Sequence, residues 1–401
     1  MGLNAPAASA PPLALYLHFP WCVRKCPYCD FNSHTLHGDL PQQGYLDALL
    51  VDLDAQLPQV GDRPIVSLFL GGGTPSLFKP DALGQFFEQL RTRARIAPDA
   101  EITLEANPGT IERGRFADYR AAGINRVSLG AQSFDGEQLT KLGRIHSAQD
   151  THTAVDELRT AGLYNFNLDL MYALPGQSLE GALSDLRTAI ALNPKHLSHY
   201  QLTMEPGTVF GGRPPAGLPD DELSYEMQRA CQDELARAGY AHYETSAYAR
   251  DGAQCAHNLN YWRFGDYLGV GAGAHGKLTQ LADSNGSVPM TITRTVRERE
   301  PRRYLARGHR DAPPTTKVTR ADLPFEFMMN ALRLVDGFDE SLFEARTGLP
   351  SNAVAHSIKR LEGRGLLESP PGAPGNWRPT VLGQQFLNDV IAEFLPTRPG
   401  T

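Results

Sequence analysis

Three cysteines within eight residues are the side chains in this sequence best suited to chemistry. Cys22, Cys26 and Cys29 follow a C-x3-C-x2-C spacing in the segment YLHFPWCVRKCPYCDF, residues 16–31. Three thiolates can bind three irons of a 4Fe–4S cube and leave the fourth iron without a protein ligand. The spacing therefore predicts an iron–sulfur cluster with one corner open to a substrate or cofactor.

A zinc site is the alternative metal site for these residues. Zinc usually takes four tetrahedral ligands, often as two C-x2-C pairs, and a single C-x3-C-x2-C run fits that pattern poorly. Disulfides fit less well, because the five cysteines are an odd number and Cys231 and Cys255 lie far along the chain. Free thiols predict a reducing compartment.

Composition and termini indicate the class of protein. A chain of 401 residues with 41% hydrophobic and 21% charged residues predicts one large and one smaller globular domain. A net charge of -7 argues against broad nucleic-acid affinity. Residues 1–12 lack the pattern of a signal peptide and predict a disordered lead-in, and no apolar run is long enough to span a bilayer. We expect a cytoplasmic protein.

Short apolar runs alternate with amphipathic segments in the first half of the chain. Strands are predicted at residues 14–19, 65–70, 101–105, 126–129, 165–171 and 196–202. Helical spacing occupies residues 45–57, 81–95, 147–161 and 179–192. This α/β repeat predicts a parallel sheet with helices outside it, in a partial barrel of about six βα units.

The second half of the sequence changes character. A Gly/Pro-rich loop at residues 211–219 precedes a helix at 222–238, and from about residue 324 the pattern is mainly helical. Helices at residues 342–347 and 351–362, followed by a Pro/Gly-rich hairpin, predict a winged-helix-like module. We therefore divide the chain into a lead-in (1–12), a partial barrel (13–210), a barrel extension (211–315) and a smaller C-terminal domain (316–401).

Polar and glycine residues follow the predicted strands, and the ends of such strands form the active face of βα barrels. Gly71 to Thr74 is expected to approach a ligand closely and to direct backbone N–H groups at it. For each polar residue taken alone, a capping or surface role is favoured. Together they predict one binding site, whose members besides the cysteines are Tyr16, Tyr28, Gly72, Gly73, Thr74, Glu105, Gln132, Arg144 and Asp169.

Six motifs follow one another along the chain: Tyr-x-His-x-Pro-x-Cys-x3-Cys-x2-Cys, Gly-Gly-Gly-Thr-Pro, Glu-x-Asn-Pro, Ser-x-Gly-x-Gln-Ser, Gly-Arg-x-His and Asp-Leu-Met-Tyr-x-Leu-Pro-Gly-Gln. Their order resembles the oxygen-independent coproporphyrinogen oxidase family of radical S-adenosylmethionine (SAM) proteins. The resemblance implies that Cys22, Cys26 and Cys29 hold the cluster, with Tyr16, Gly72 and Glu105 around a SAM molecule on its open iron. It assigns a second SAM to Tyr28, Gly73, Thr74, Gln132, Arg144 and Asp169. It also implies electron transfer into the SAM sulfonium, which yields methionine and a 5'-deoxyadenosyl radical.

Two features point to the haem chaperone branch of that family. Phe31 stands where the true decarboxylase has a further cysteine, and residues 257–262 resemble the His-Asn-x-x-Tyr-Trp motif of the chaperones. Physically, His257 offers an imidazole for haem iron, and Tyr261 and Trp262 offer flat faces for a porphyrin. The alternatives are a cap or hydrogen bond for His257 and Asn258 and core packing for the two aromatic residues.

Three functions follow from this pattern. The favoured one is a haem chaperone with a SAM-ligated cluster, whose partners are haem, a haem-acceptor protein and an electron donor such as a flavodoxin or ferredoxin. The second is an oxidative decarboxylase of coproporphyrinogen III. A DNA-binding regulator is disfavoured, because residues 321–368 carry five basic against eight acidic residues. Peripheral membrane contact stays open.

Overall fold

The computed structural model describes residues 10–109, 114–283, 289–308 and 311–396. Residues 1–9 of the predicted lead-in, and residues 284–288 and 309–310 of the predicted barrel extension, lie outside the described residues. The strands are β1 (Leu13–Phe19), β2 (Trp21–Cys22), β3 (His34–Thr35), β4 (Ile65–Gly72), β5 (Ile96–Ala106), β6 (Arg126–Gln132), β7 (Phe166–Tyr172), β8 (His196–Gln201), β9 (Ala241–Glu244), β10 (Ala247–Ala249), β11 (Asp266–Val270), β12 (His275–Gln280), β13 (Thr291–Val296), β14 (Thr315–Lys317), β15 (Phe338–Asp339), β16 (Leu367–Glu368) and β17 (Asn376–Pro379).

The helices follow the strands of the barrel and then dominate the end of the chain. They are α1 (Gln42–Gln56), α2 (Pro80–Arg93), α3 (Phe116–Ala122), α4 (Gly136–Lys141), α5 (Ala148–Thr160), α6 (Leu179–Ala191), α7 (Val209–Gly212), α8 (Asp221–Arg237), α9 (Ala256–Trp262), α10 (Pro301–Arg307), α11 (Leu323–Ala331), α12 (Glu340–Thr347), α13 (Asn352–Gly363), α14 (Val381–Gln385) and α15 (Leu387–Ala392). Each helix predicted from apolar spacing is present, with ends shifted by a few residues.

One large sheet organises the first three quarters of the chain. Its order is β14-β13-β12-β11-β1-β4-β5-β6-β7-β8-β10-β9, and the pairs from β11 to β8 are all parallel. The six predicted strands are therefore confirmed as neighbours in a partial barrel. The structure adds a seventh parallel strand, β11, beside β1, and antiparallel strands at both edges.

The sheet is buried on both faces, as expected for a parallel sheet covered by helices. Strand β1 is buried along its length except at Tyr16, which is half-buried. The outer helices begin at clear N-caps: the Ser147 side chain and Asp150 form a capping box at α5, and Ser178 caps α6. These caps place each helix directly after the loop that carries polar residues at the preceding strand end.

A second hydrophobic core lies in the C-terminal module. Helices α12 and α13 are joined by a turn in which Gly348 adopts the left-handed conformation, and β15, β17 and β16 form a small sheet beside them. This arrangement confirms a mainly helical, winged-helix-like module. Phe264 and Ile292, which precede it in sequence, belong to the same core. Across the described residues, no helix is both long and apolar enough to cross a membrane.

Phe327 on α11 is the centre of this second core, and we expect its truncation to destabilise the module. Its buried ring makes edge-to-face contacts with Phe264, Phe338 and Phe343. Phe327→Ala should lower the free energy of unfolding by about 3–5 kcal/mol, measured by urea denaturation. Phe386→Ala removes a half-exposed ring from the same module and should cost much less; equal losses would contradict this packing.

Candidate cluster and cofactor site

A cavity of about 470 Å³ opens at the carboxyl ends of the parallel strands. It brings together most of the residues predicted from sequence, including all three cysteines of the C-x3-C-x2-C segment. Tyr16, His257 and Tyr261 are the predicted site residues that do not line it. Those that do are Cys22, Cys26, Tyr28, Cys29, Gly72, Gly73, Thr74, Glu105, Gln132, Arg144, Asp169, Asn258 and Trp262.

The three thiols surround one end of this cavity. All are free and partly exposed, and the Cys29 amide donates to the Cys26 carbonyl at 3.2 Å, which closes the turn between them. Among the described residues, no three His, Cys, Asp or Glu side chains converge on a point for a single metal ion. A 4Fe–4S cube does not need its three thiolates to meet at one point, because each thiolate binds a different iron of the cube. The three thiols at one cavity fit a 4Fe–4S cluster.

His18 ties the cysteine segment to the barrel. Its Nδ1 accepts from the Tyr16 hydroxyl at 3.0 Å, and its Nε2 donates to the Asn32 carbonyl at 2.9 Å. The Asn32 side chain donates to the Ala272 carbonyl, also at 2.9 Å. Burial lowers the pKa of His18 to about 4, so the ring is neutral near pH 7 and can donate with one nitrogen while accepting with the other. Tyr16 thus contacts His18 and does not line the cavity.

The glycine-rich segment after β4 approaches the cysteine segment very closely. A Cβ on Gly73 would lie 2.5 Å from the Trp21 carbonyl oxygen. The Gly73 amide donates to Phe19 and the Thr74 amide to Trp21, both at 2.7 Å, while the Gly72 amide donates to the Glu105 carboxylate at 3.0 Å. The expectation that these N–H groups face a ligand was therefore wrong. They join the segment to its neighbours and leave carbonyl groups and side chains for a ligand.

Two half-buried carboxylates, Glu105 and Asp169, line the cavity. Burial, with a smaller contribution from the nearby Asp169 charge, raises the pKa of Glu105 to about 8. Asp169 accepts from the Ser128 hydroxyl at 3.1 Å and from the Asn167 amide at 2.8 Å. Burial raises the pKa of Asp169 despite these bonds. Such acids favour a cationic ligand, because a positive charge relieves the cost of ionising them in a desolvated site.

Arg144 connects the thiols to the strand ends. One guanidinium nitrogen donates to the Gly130 carbonyl at 2.8 Å and to the Asn107 side chain, and another contacts the Cys26 sulfur at 3.5 Å. Nearby, Gln132 has a φ of +68° and accepts from the Tyr200 hydroxyl at 2.8 Å. Sequence reasoning did not single out Asn107, although it lies in the quoted Glu-x-Asn-Pro motif, or Tyr200 at the end of β8.

Helix α9 divides the His-Asn-x-x-Tyr-Trp motif between two faces. His257 and Tyr261, four residues apart, face the barrel: the His257 ring is 1% exposed and hydrogen-bonds to the Ser67 hydroxyl at 3.0 Å and to the Tyr261 hydroxyl at 2.9 Å. Asn258 and Trp262, also four residues apart, line the cavity. Both ring nitrogens of His257 are therefore engaged. Haem ligation by His257 stays a prediction, and it would require one of these two bonds to break.

The cavity continues beyond Trp262 to residues that the sequence analysis missed. Glu244 at the end of β9 and Ser246 in the turn before β10 line it, as does Arg333, which follows α11 in the C-terminal module. The Arg333 guanidinium carbon lies 4.5 Å from the centre of the Trp262 ring. Nothing in the sequence near Arg333 indicates this role, because its placement depends on how the C-terminal module docks.

Fold and site together define a radical SAM protein. Residues 16–189 match the radical SAM superfamily, and residues 318–386 match the HemN C-terminal domain. Among solved structures, coproporphyrinogen III oxidase (HemN) from Escherichia coli superposes with a TM-score of 0.79 over 96% of this chain and 90% of that one, at 23% identity. That likeness concerns the fold alone.

Full-length relatives narrow the assignment. The heme chaperone HemW of Escherichia coli is 48% identical over 96% of this chain and 98% of its own length. The heme chaperone HemW of Bacillus subtilis is 32% identical over 95% and 98% respectively. The chain therefore belongs to the HemW family of radical SAM proteins, and the resemblance found in the sequence is confirmed. Membership in this superfamily implies a 4Fe–4S cluster and SAM.

We expect Gly72→Ala to weaken SAM binding by about tenfold or more, because Gly72 has a φ of +112° and an added Cβ would lie 2.4 Å from the His18 ring. The clash displaces His18 or the Gly72 bond to Glu105. Equilibrium dialysis of SAM with cluster-loaded protein measures the effect. Gly136→Ala is the control, since a Cβ there meets nothing within 4 Å. Wild-type SAM affinity in Gly72→Ala would contradict this geometry.

The buried His257 should also contribute to acid sensitivity. Burial, followed by the Arg126 charge, lowers its pKa to about 3, below the ordinary value of 6.5. The unfolded chain therefore binds a proton between about pH 6.5 and pH 3 that the folded chain excludes, and stability falls as the pH drops through this window. Between pH 6 and pH 4, His257→Gln should reduce the slope of unfolding free energy by about 1.4 kcal/mol per pH unit. Urea titrations at several pH values measure it; an unchanged slope contradicts the buried neutral ring.

Proposed function

We propose that this protein is a haem chaperone: it binds haem and a three-cysteine 4Fe–4S cluster with SAM at the open iron, and it passes haem to an acceptor protein. One observation carries the proposal. The cavity that the three cysteines share continues without interruption to Asn258 and Trp262 of the His-Asn-x-x-Tyr-Trp motif. The full-length relatives named heme chaperone HemW support the same function.

The cluster end of the cavity suits a cationic nucleotide. Cys22, Cys26 and Cys29 would hold the cluster, which supplies the electron that cleaves SAM when both are bound. Glu105 offers a carboxylate for the ammonium or ribose of that SAM, and Gly72 holds Glu105 in place through its amide. Asp169 and Gln132 extend this polar wall, and the second SAM that the family resemblance implies would contact them.

The part of the cavity around Trp262 suits a flat ligand that carries polar groups at its edge. Trp262 offers an aromatic face, and Asn258 adds a polar group on the same side of α9. Because His257 and Tyr261 bond to each other on the opposite side of the helix, we assign the direct cavity contacts to Asn258 and Trp262. His257 supports this surface from behind, by fixing α9 to Ser67 on β4.

An oxidative decarboxylase of coproporphyrinogen III is the second candidate, and the HemN-like fold favours it. Phe31 weighs against it. This side chain lines the cavity and is 57% exposed, and it supplies neither a thiol nor a hydrogen bond at the position where the decarboxylase has a further cysteine. An apolar ring at this position can pack against a porphyrin, but it cannot transfer a proton or a hydrogen atom to one.

The remaining parts of the proposal concern partners and location. Reduction of the cluster requires an electron donor such as a flavodoxin or ferredoxin, and delivery requires a haem-acceptor protein. The five cysteines, all of them free thiols, favour a reducing compartment such as the cytoplasm. Peripheral membrane contact stays open, since an acceptor can lie at a membrane surface.

Haemin titration of anaerobically reconstituted protein tests the function. We expect a shifted Soret band that saturates, with Trp262→Ala weakening haemin binding about tenfold. Trp377→Ala, in the hairpin of the C-terminal module, is the control for loss of an indole outside the cavity. His257→Ala should leave the wavelength of the Soret band unchanged; a moved band would place His257 on the iron.

A parallel assay separates the two candidates. Cluster-loaded protein is incubated with SAM, a strong reductant and coproporphyrinogen III, and the products are analysed for vinyl groups and 5'-deoxyadenosine. A chaperone should give no decarboxylated product above a control lacking SAM. Stoichiometric or catalytic vinyl product would replace the chaperone proposal by the enzyme.

A further inference from the structure

The cavity wall around Trp262 contains an unusual set of polar atoms. Among the described residues, Arg333 Nε, Trp262 Nε1 and Glu244 Oε2 are buried atoms without a hydrogen-bond partner, and all three residues line this cavity. Buried polar groups in folded proteins are otherwise paired. Two of these three atoms are N–H donors without an acceptor, and only one is an acceptor without a donor.

The backbone fixes this arrangement independently of the side chains. The Arg333 carbonyl accepts from the Thr245 amide at 3.0 Å, and the Val335 amide donates to the Tyr243 carbonyl at 3.1 Å. An isolated antiparallel bridge pairs Glu244 with Leu334. The C-terminal module is therefore attached to the end of β9 at the point where it contributes Arg333 to the cavity. The guanidinium lies against the Trp262 ring, a cation–π contact that holds it in place.

Glu244 does not satisfy Arg333. Its Oε2 lies 4.0 Å from the nearest Arg333 nitrogen, which is beyond hydrogen-bond distance. Hydrogen bonds from Ser246 hold the Glu244 carboxylate on its own side of the cavity. The Arg333 side chain lines the cavity and is 35% exposed, so its guanidinium can donate to a ligand there, although Nε itself is buried. A ligand carboxylate has the charge and the acceptor oxygens to pair with the exposed part of this guanidinium, which the Trp262 ring holds in place.

We propose that Arg333 and Trp262 form a carboxylate-binding site, and that it takes one propionate of haem. The inference rests on the proposed function, since it assumes that haem occupies this cavity. The position of the site favours a propionate. The site lies next to Trp262, on the face of α9 that borders the cavity. A haem lying against that face is a flat apolar ring with its two carboxylates at one edge. The C-terminal module then takes part in cargo binding through Arg333.

The carboxylate of SAM has the same chemistry, so the test includes both ligands. Haemin and haemin dimethyl ester, which lacks free carboxylates, are titrated separately into cluster-loaded full-length protein, and SAM is measured by equilibrium dialysis. Wild type should bind haemin about tenfold more tightly than the ester. In Arg333→Gln, the ratio of the two dissociation constants, ester over haemin, should fall to about one, while the affinity for SAM is unchanged. Arg263→Gln, an exposed arginine just after α9, should behave as wild type.

A second variant keeps the test decisive if Arg333→Gln folds poorly. Glu244→Gln removes a negative charge beside the site while keeping the shape of the side chain, so the preference for haemin over the ester should increase about threefold or more. A wild-type protein that binds haemin and its ester equally, or an Arg333→Gln variant that keeps the preference or loses SAM instead, overturns the propionate site. Failure of wild type to bind either porphyrin overturns the proposed function itself.

Discussion

The contact between the His18 ring and the backbone of Gly72 determines how the cysteine segment sits on the barrel. The ring occupies the space that any side chain at residue 72 would need. From that place it bonds to the Asn32 carbonyl on one side and to the Tyr16 hydroxyl on the other. The segment that carries the three cysteines is therefore anchored at its exit as well as at its entrance, where it continues directly from β1. Without this close approach, the segment would lose the anchor at its exit and keep the bonds that the Gly73 and Thr74 amides make to Phe19 and Trp21 near its entrance.

Side chains in different parts of this one cavity favour ligands of opposite charge. Near the thiols, the half-buried Glu105 and Asp169 favour a cation. Arg144 contacts the Cys26 sulfur, where it offsets the negative charge of a thiolate. Beyond Trp262, the partly exposed Arg333 favours an anion. A sulfonium nucleotide and a dicarboxylate porphyrin thus match different regions of the same space. The low solvent access of both regions strengthens each preference, since screening by water is reduced.

The sequence was most informative where function depends on local spacing. The C-x3-C-x2-C segment, Gly72 and Glu105 were found from motifs, and the six apolar runs predicted six parallel strands that the structure confirms. The sequence did not predict β11 beside β1, because that pairing joins residues some 250 positions apart and depends on the fold of everything between them. Arg333 was missed for the same reason. The directions of the Gly73 and Thr74 amides were predicted wrongly, because the strand-following glycines serve close packing against Phe19 and Trp21 here, rather than a ligand.

The His-Asn-x-x-Tyr-Trp motif illustrates how one short helix can combine a structural and a binding role. Residues four apart share a helix face, so the motif contains two pairs with separate tasks. His257 and Tyr261 form a buried pair, and desolvation keeps the imidazole neutral and hydrogen-bonded to Ser67. That pair sets the rotation of α9 about its axis, which in turn directs Asn258 and Trp262 into the cavity. The histidine can therefore be essential for haem binding without touching the iron, because the position of the indole, and of the arginine that rests on it, depends on the buried pair.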